Sequence, residues 1–435
     1  MERHIYAIPT HRQCSESLDS LIREVTLSES GFCRDHEVDI SVVVVDASEP
    51  EAAAKNRAAL KTLSTKLNRF NTHHFTVESL DDMCNEALIA LGARNREELS
   101  PLLTGNKYSY GMAANRTFLL AAFFGADYLH RRDSDTFLQH TEAKNVLSPL
   151  DLELKYLGKK LGPAGVVSPR ASAPYLSDRI YMVGSGCVGD WSVDYEDLVE
   201  KNIESLYRLV QVSKPAMPYA EIKDYVDRKY VLGSREKYER DFLSLKFESF
   251  IDVGNSSVFE VYNQLPVSPA VQTSGVEYFF HEVLGALKMP KLYHNRKTIH
   301  RYDSGRYDKD KANSYHLTKA KARCLAPLYA SLYKTIAAEP GEYFESGVFN
   351  ADKISDCLML LADKNIRREQ EGILTLMANS YTETGITKYV EAAKYILSQK
   401  SAILEQSVRD VYNHALLTKE WPNLISWFRK AGRNG

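Results

Sequence analysis

Asp133 and Asp135, one residue apart in Asp127-Tyr128-Leu129-His130-Arg131-Arg132-Asp133-Ser134-Asp135, are the residues whose types and spacing most directly suggest chemistry. In an extended chain both carboxylates point to one face, because side chains alternate with period two. Two acids on one face repel unless a cation lies between them, so the pair suits a hard divalent ion with a phosphate partner. A solvated turn is the alternative, since such pairs arise by chance among 57 acidic residues.

The elements around the pair alternate. His4 to Ile8 is expected as a short strand stopped by Pro9, and Leu18, Leu21, Ile22 and Val25 have helical spacing over Glu16 to Val25. Ile40-Ser41-Val42-Val43-Val44-Val45 is β-branched and nearly uniform, the pattern of a strand buried on both faces, and it ends on Asp46-Ala47-Ser48. A helix is expected from Glu49 to Leu67, a strand over His74 to Val77, and a helix over Tyr110 to Phe124 leading through Gly125-Ala126 into the strand before Asp133. Strands alternating with helices imply an α/β fold with a doubly wound, mostly parallel sheet. Asp46, Ser48, Asp133 and Asp135 would lie at carboxyl ends of strands, where such sheets bind ligands.

The 435 residues allow two or three domains, and 44% apolar with 26% charged residues is ordinary for a globular chain. A net charge of −2 gives no general attraction to nucleic acid or to an anionic membrane. Six scattered cysteines without a Cys-x-x-Cys pair argue against a zinc ribbon, a redox dithiol or a disulfide framework. With neither an apolar leader nor a membrane-length apolar run, the expected location is the cytoplasm.

Four blocks in order carry a resemblance. Ile8-Pro9-Thr10-His11-Arg12 with Leu18-Asp19-Ser20-Leu21-Ile22, then Val43-Val44-Val45-Asp46-Ala47-Ser48, then Gly111-Met112-Ala113-Ala114-Asn115-Arg116, and the Asp-x-Asp together resemble the nucleotide half of GT-A glycosyltransferases. The likeness is distant and extends to mannosylglycerate synthases and family-2 transferases. It implies a GT-A doubly wound mixed sheet over 1–310, with a nucleotide half at 1–140 and an acceptor half at 141–310, followed by a helical region at 311–435. It also implies transfer of a sugar, most simply a hexose, from a UDP or GDP sugar to a hydroxylated small-molecule or glycan acceptor.

On that resemblance, Pro9, Thr10, Arg12, Asp46, Ser48, Asn115, Asp133 and Ser134 would surround the nucleotide, with Lys107 and Arg306 neutralising phosphate. Asp135 and His300, of Thr298-Ile299-His300-Arg301-Tyr302, would ligate Mn²⁺ or Mg²⁺, and Asp133 would hold ribose hydroxyls or a metal-bound water. Such an ion stabilises a departing diphosphate. Gly275-Val276-Glu277-Tyr278 stands where the family has an acid opening a helix, so Glu277 is the candidate base; Glu-Asp or a single Asp is usual there, and Val276-Glu277 departs from it. Asp190, in the glycine-rich Gly184-Ser185-Gly186-Cys187-Val188-Gly189-Asp190-Trp191, is a second candidate, and Trp191 suits a sugar face.

Each role has a structural competitor. His300 is one of 12 histidines, Glu277 also reads as an acid complementing a helix dipole, and one of Arg131 and Arg132 is expected at the surface because strand neighbours face opposite ways. A haloacid-dehalogenase-type phosphatase also uses Asp-x-Asp, but it calls for Thr or Val where Phe137 stands and for an apolar strand where Arg131 and Arg132 stand. A non-catalytic nucleotide-binding protein of GT-A type is the other alternative. Beyond Asp308, helical spacing runs over Ala312 to Ala338, Ala351 to Asp363, Tyr389 to Leu397 and Ile403 to Leu417, with breaks near Pro340-Gly341 and Gly385. Whether the chain forms a homo-oligomer stays open.

Overall fold

The computed structural model describes residues 1–34, 36–105, 109–141, 146–161, 179–190, 195–214, 217–232, 238, 240–245, 251–302, 309–364 and 366–434. Strands β1 (Glu2–Thr10), β2 (Val38–Asp46), β3 (Asn71–Thr76), β4 (Tyr128–Arg132), β5 (Thr136–Leu138), β6 (Met182–Gly184), β7 (Cys187–Gly189), β8 (Leu243–Leu245), β9 (Asn255–Phe259), β10 (Lys291–His294) and β11 (Thr298–His300) build two sheets. The larger has the order β3-β2-β1-β4-β9-β6-β10-β8, and the smaller β5-β11-β7. β1 to β4 run parallel, β9 runs antiparallel between β4 and β6, and β8 pairs antiparallel with β10. The fold is mixed α/β.

The uniform apolar run of β2 is explained by cover on both faces. Ile40, Val42 and Val44, with Tyr6 and Ile8 of β1, pack on α1 (Ser15–Ser30) and α2 (Pro50–Ser64). Val43 and Val45, with Ile5 and Ala7, face the opposite core, which includes α3 (Val77–Leu91), α4 (Ala93–Leu103) and α5 (Tyr110–Phe123). β1 does not stop at Pro9: it continues to Thr10 in register with β2, with Pro9 opposite Val45. Its pairing with β4 ends at Ala7, so Pro9 lies where the strand has lost one neighbour and a missing N–H is tolerated.

The remaining helices are α6 (Pro149–Tyr156), α7 (Glu196–Lys201), α8 (Ile203–Ser213), α9 (Tyr219–Val226), α10 (Phe279–Ala286), α11 (Lys309–Ala338), α12 (Pro340–Tyr343), α13 (Ala351–Ala362), α14 (Arg367–Glu383), α15 (Thr387–Ser398) and α16 (Lys400–Asn434). The helical tail does not form a core of its own. Leu358 of α13 and Trp421, Leu424 and Phe428 of α16 belong to the sheet's core, and the Trp421 indole donates to the Tyr262 carbonyl at 2.8 Å. α14 and α15 share a second core with α7, α8 and α9. The boundary expected at 310/311 is therefore crossed by packing on both sides. No helix among the described residues is long and apolar enough to cross a membrane.

Candidate metal centre

β1, β2 and β3 lie to one side and β4 to the other, so strand order changes direction between β1 and β4. A crevice opens at the carboxyl ends of strands at such a point. Here it is part of a cleft of about 2130 Å³ lined by Pro9, Thr10, Arg12, Asp46, Asp133 and Asp135 among others.

Asp133 and Asp135 leave the end of β4, and β11 returns from far along the chain to pair antiparallel with β5, placing His300 opposite Thr136. One ligand atom from each of Asp133, Asp135 and His300 then falls within 4.8 Å of the others. His300 Nε2 is 3.8 Å from Asp135 Oδ1 and has no hydrogen-bond partner, while Nδ1 is 3.3 Å from the Tyr302 hydroxyl. Two carboxylates and an imidazole are donors suited to Mn²⁺, or to Mg²⁺ with further oxygens.

Two glycines make room for these groups. A Cβ on Gly254, just before β9, would lie 2.5 Å from Asp133 Oδ2, so any side chain there would displace that carboxylate. Gly189, at φ +92°, would bring a Cβ against the His300 carbonyl, while the Asp190 N–H donates to that carbonyl at 3.1 Å. The Asp190 carboxylate accepts the Tyr302 N–H at 3.0 Å and faces the cleft.

Of the two adjacent arginines, Arg131 is the one that faces the cleft. Its guanidinium donates to Asp133 Oδ1 at 3.0 Å and to Glu277 Oε1 at 3.2 Å, joining the metal group to the candidate base. Burial pushes the Glu277 carboxyl up; the Arg131 charge opposes this, and the net shift is upward. Arg132 is not at the surface. It is fully buried on the opposite face, clasped by Glu24 at 3.0 and 3.1 Å and by Glu153 at 3.0 Å. The acids that claim it, on α1 and α6, carry no local signal that they point inward.

Asp46 is buried and saturated: it accepts from Ser48 N at 2.9 Å, Asn56 Nδ2 at 3.0 Å and His74 Nε2 at 2.9 Å. Burial raises its pKa, but the hydrogen bonds, His74's first, outweigh burial and bring it below the usual range. Asn56 also donates to the Arg12 carbonyl and accepts from Cys14 N, so it ties β2 to the turn after β1. Arg12 Nη1 is 3.4 Å from Asp135 Oδ2. Thr10 Oγ1 donates to the Arg12 carbonyl and accepts its N–H, and Ser134 lines the cleft while its carbonyl accepts the Ser17 hydroxyl.

Asn115 does not join them. It is fully buried, donating to the Val267 carbonyl at 2.8 Å and accepting its N–H at 2.9 Å, so both ends of its amide are spent on the backbone at Val267. Its neighbour Arg116 reaches the cleft and pairs with Asp81. Lys107, Arg306 and Trp191 lie outside the described residues.

The model of a family of unknown function, DUF6271, matches residues 2–434, and the chain belongs to that family. No curated protein matches it.

Proposed function

We propose that this member of the DUF6271 family is a metal-dependent glycosyltransferase, taking a sugar from a nucleoside diphosphate donor of UDP or GDP type to a hydroxylated acceptor. The observation that carries the reading is the convergence of His300, from the last strand of the small sheet, on the two carboxylates at the end of β4.

In this reading Asp133, Asp135 and His300 hold Mn²⁺ or Mg²⁺, which when bound offsets negative charge gathering on the leaving diphosphate. The mixed sheet with a crevice at its switch point fits a GT-A nucleotide half. Thr10, Arg12 and Ser48 would flank the nucleotide. Asp46 serves as a buried anchor for the turn, since His74, Asn56 and Ser48 already use its oxygens. Glu277 would accept the acceptor hydroxyl's proton on a carboxylate oriented by Arg131, and Asp190 fixes the strand end that carries His300 and Tyr302.

The test is thermal stability with UDP or GDP, with and without Mn²⁺, since a ligand that binds the folded state raises the melting temperature by mass action. One nucleotide is expected to stabilise the parent only with the metal, and Asp135→Ala to abolish that dependence while keeping the fold. If Asp135→Ala responds like the parent, the metal reading is wrong.

A further inference from the structure

The cleft is larger than one nucleotide sugar needs. Sites for small molecules enclose roughly 300–1,000 Å³, and this one encloses about 2130 Å³. Part of that space extends along the sheet away from β1 and β2, because Tyr293 of β10, Asn295 just beyond it and Phe242 just before β8 line it as well.

The pairing register places these residues. Arg131 of β4 stands opposite Ser256 of β9, Ser256 opposite Gly184 of β6, Gly184 opposite Tyr293 of β10, and Tyr293 opposite Ser244 of β8. Residues opposite one another in a ladder share a face, so Tyr293 looks out on the side where Arg131 holds Asp133 and Glu277. Adjacent strands are about 4.8 Å apart, which puts β10 roughly 14 Å and β8 roughly 19 Å from β4. Between them the row is made of small residues, serine on β9 and glycine on β6. A Cβ on Gly184 would lie 2.5 Å from Ile251 Cγ2, so Ile251 closes over β6, and with Asp252 and Val253 it lines the cleft. The result is a trough that starts beside Glu277 and ends at the outer edge of the sheet.

Phe242 stands at that outer end. Its side chain is 53% exposed, and of the large apolar side chains that stand exposed among the described residues it alone lines the cleft. An exposed ring is ordinary by itself, but the chain around this one is fixed. Asn295 Oδ1 accepts the Phe242 N–H at 2.9 Å, and Asn295 Nδ2 donates to the Arg240 carbonyl at 2.8 Å. Arg296 holds the Asp241 carboxylate through two hydrogen bonds of 2.8 Å and donates to the Ser148 carbonyl at 2.6 Å. A ring presented on a pinned backbone loses little freedom when a ligand covers it.

We propose that the trough from Glu277 to Phe242 is an acceptor subsite for a glycan chain, with the rings of Tyr293 and Phe242 each receiving the apolar face of a sugar unit remote from the reacting hydroxyl. The inference rests on the glycosyltransferase reading and narrows its acceptor from any hydroxylated molecule to an oligosaccharide. Aromatic rings offer apolar area to the C–H face of a pyranose, and the polar groups beside them, Asp252 and Arg240, suit its rim of hydroxyls. A single sugar at Glu277 cannot reach the edge strand, so affinity must grow with chain length.

The experiment measures binding of the full chain, with UDP or GDP and Mn²⁺ present, to an array of defined glycans from monosaccharides to octasaccharides. The parent is expected to bind at least one series, and its hexasaccharide about tenfold or more tighter than its disaccharide, the gain that one stacked ring supplies. Phe242→Ala should erase that advantage while disaccharide binding and melting temperature stay unchanged, and Phe242→Trp should keep it. Equal length dependence in parent and Phe242→Ala, or no glycan bound by the parent, overturns the proposal. Melting temperature with UDP or GDP and Mn²⁺ is followed on the same samples. Nucleotide binding without any glycan response refutes the trough alone, whereas length-dependent glycan binding by a parent that binds neither nucleotide refutes the transferase reading and keeps the trough as a glycan site.

Discussion

His300 distinguishes a ligand from a packing residue by a single substitution. Its Nε2 has no hydrogen-bond partner, and its ring stands at the edge of an open cleft, so little packing depends on it. His300→Ala should change stability by less than about 1 kcal/mol and remove metal-dependent nucleotide binding. A marked fall in melting temperature with metal dependence intact would assign the imidazole to packing instead. Glu277 gives a second test at this scale. A base must be deprotonated to act, and burial sets its pKa above the usual carboxylate value against the pull of Arg131. Activity should therefore rise with pH through a value above 4.5, and Glu277→Gln should lower turnover about a hundredfold with nucleotide affinity kept. Proton NMR of the first product gives the anomeric configuration; retention would remove Glu277 from the role of base. The grouping of Asp133, Asp135 and His300 was legible in the sequence because a site for a hard cation calls for particular residue types in order. Arg131 was not, because nothing in Arg131-Arg132 says which guanidinium takes which face.

β4 carries opposite tasks on its two faces, and the buried one holds the strand that delivers Asp133. Arg132 lies with Glu24 and Glu153, Glu24 also accepts the Tyr6 hydroxyl at 2.6 Å, and Glu153 contacts His130 Nδ1 at 2.7 Å. Removing one member of such a network leaves charge buried without a partner. Arg132→Met should cost about 3–5 kcal/mol, read as a lower denaturant midpoint, although it touches nothing in the cleft. A loss below about 1 kcal/mol would show that water or rearranged acids can replace the guanidinium. The alternation of strands and helices in the first third was readable because β2 is apolar on both faces and α1 has a clean helical stripe. Pro9 misled, since a proline ends a strand by propensity yet is harmless where the partner strand has already diverged. α14 is not among the helices expected from spacing; its start, Arg367-Arg368-Glu369-Gln370-Glu371, has no apolar residue, although Gln370, Leu374 and Met377 are buried along it.

At the scale of the molecule, sheet and tail share their cores, and that explains the all-round burial of α5. It has sheet on one side and α16 on another, close enough that a Cβ on Gly432 would strike the Phe123 carbonyl. The sequence showed the tail's helices but not this docking, because an apolar stripe does not name its partner. The same enclosure buries imidazoles across the whole molecule: burial lowers His4, His316 and His414 to about 4 and His130, His281 and His294 to about 3. These rings are neutral in the folded state and would ionise near 6.5 when exposed. The unfolded chain therefore binds more protons below that value, and stability must fall as pH drops. The contribution of each ring is complete above 6.5 and is lost between 6.5 and its folded value, at up to about 1.4 kcal/mol per pH unit. Since the six rings are spread over β1, β4, β10, α10, α11 and α16, the loss should be cooperative rather than confined to one end. Melting temperature is expected to be level above about pH 7 and to fall steeply by pH 5, before ordinary carboxylates titrate. A level melting temperature from pH 7 to pH 5 would mean that these imidazoles reach water, and that the tail does not close over the sheet as its packing implies.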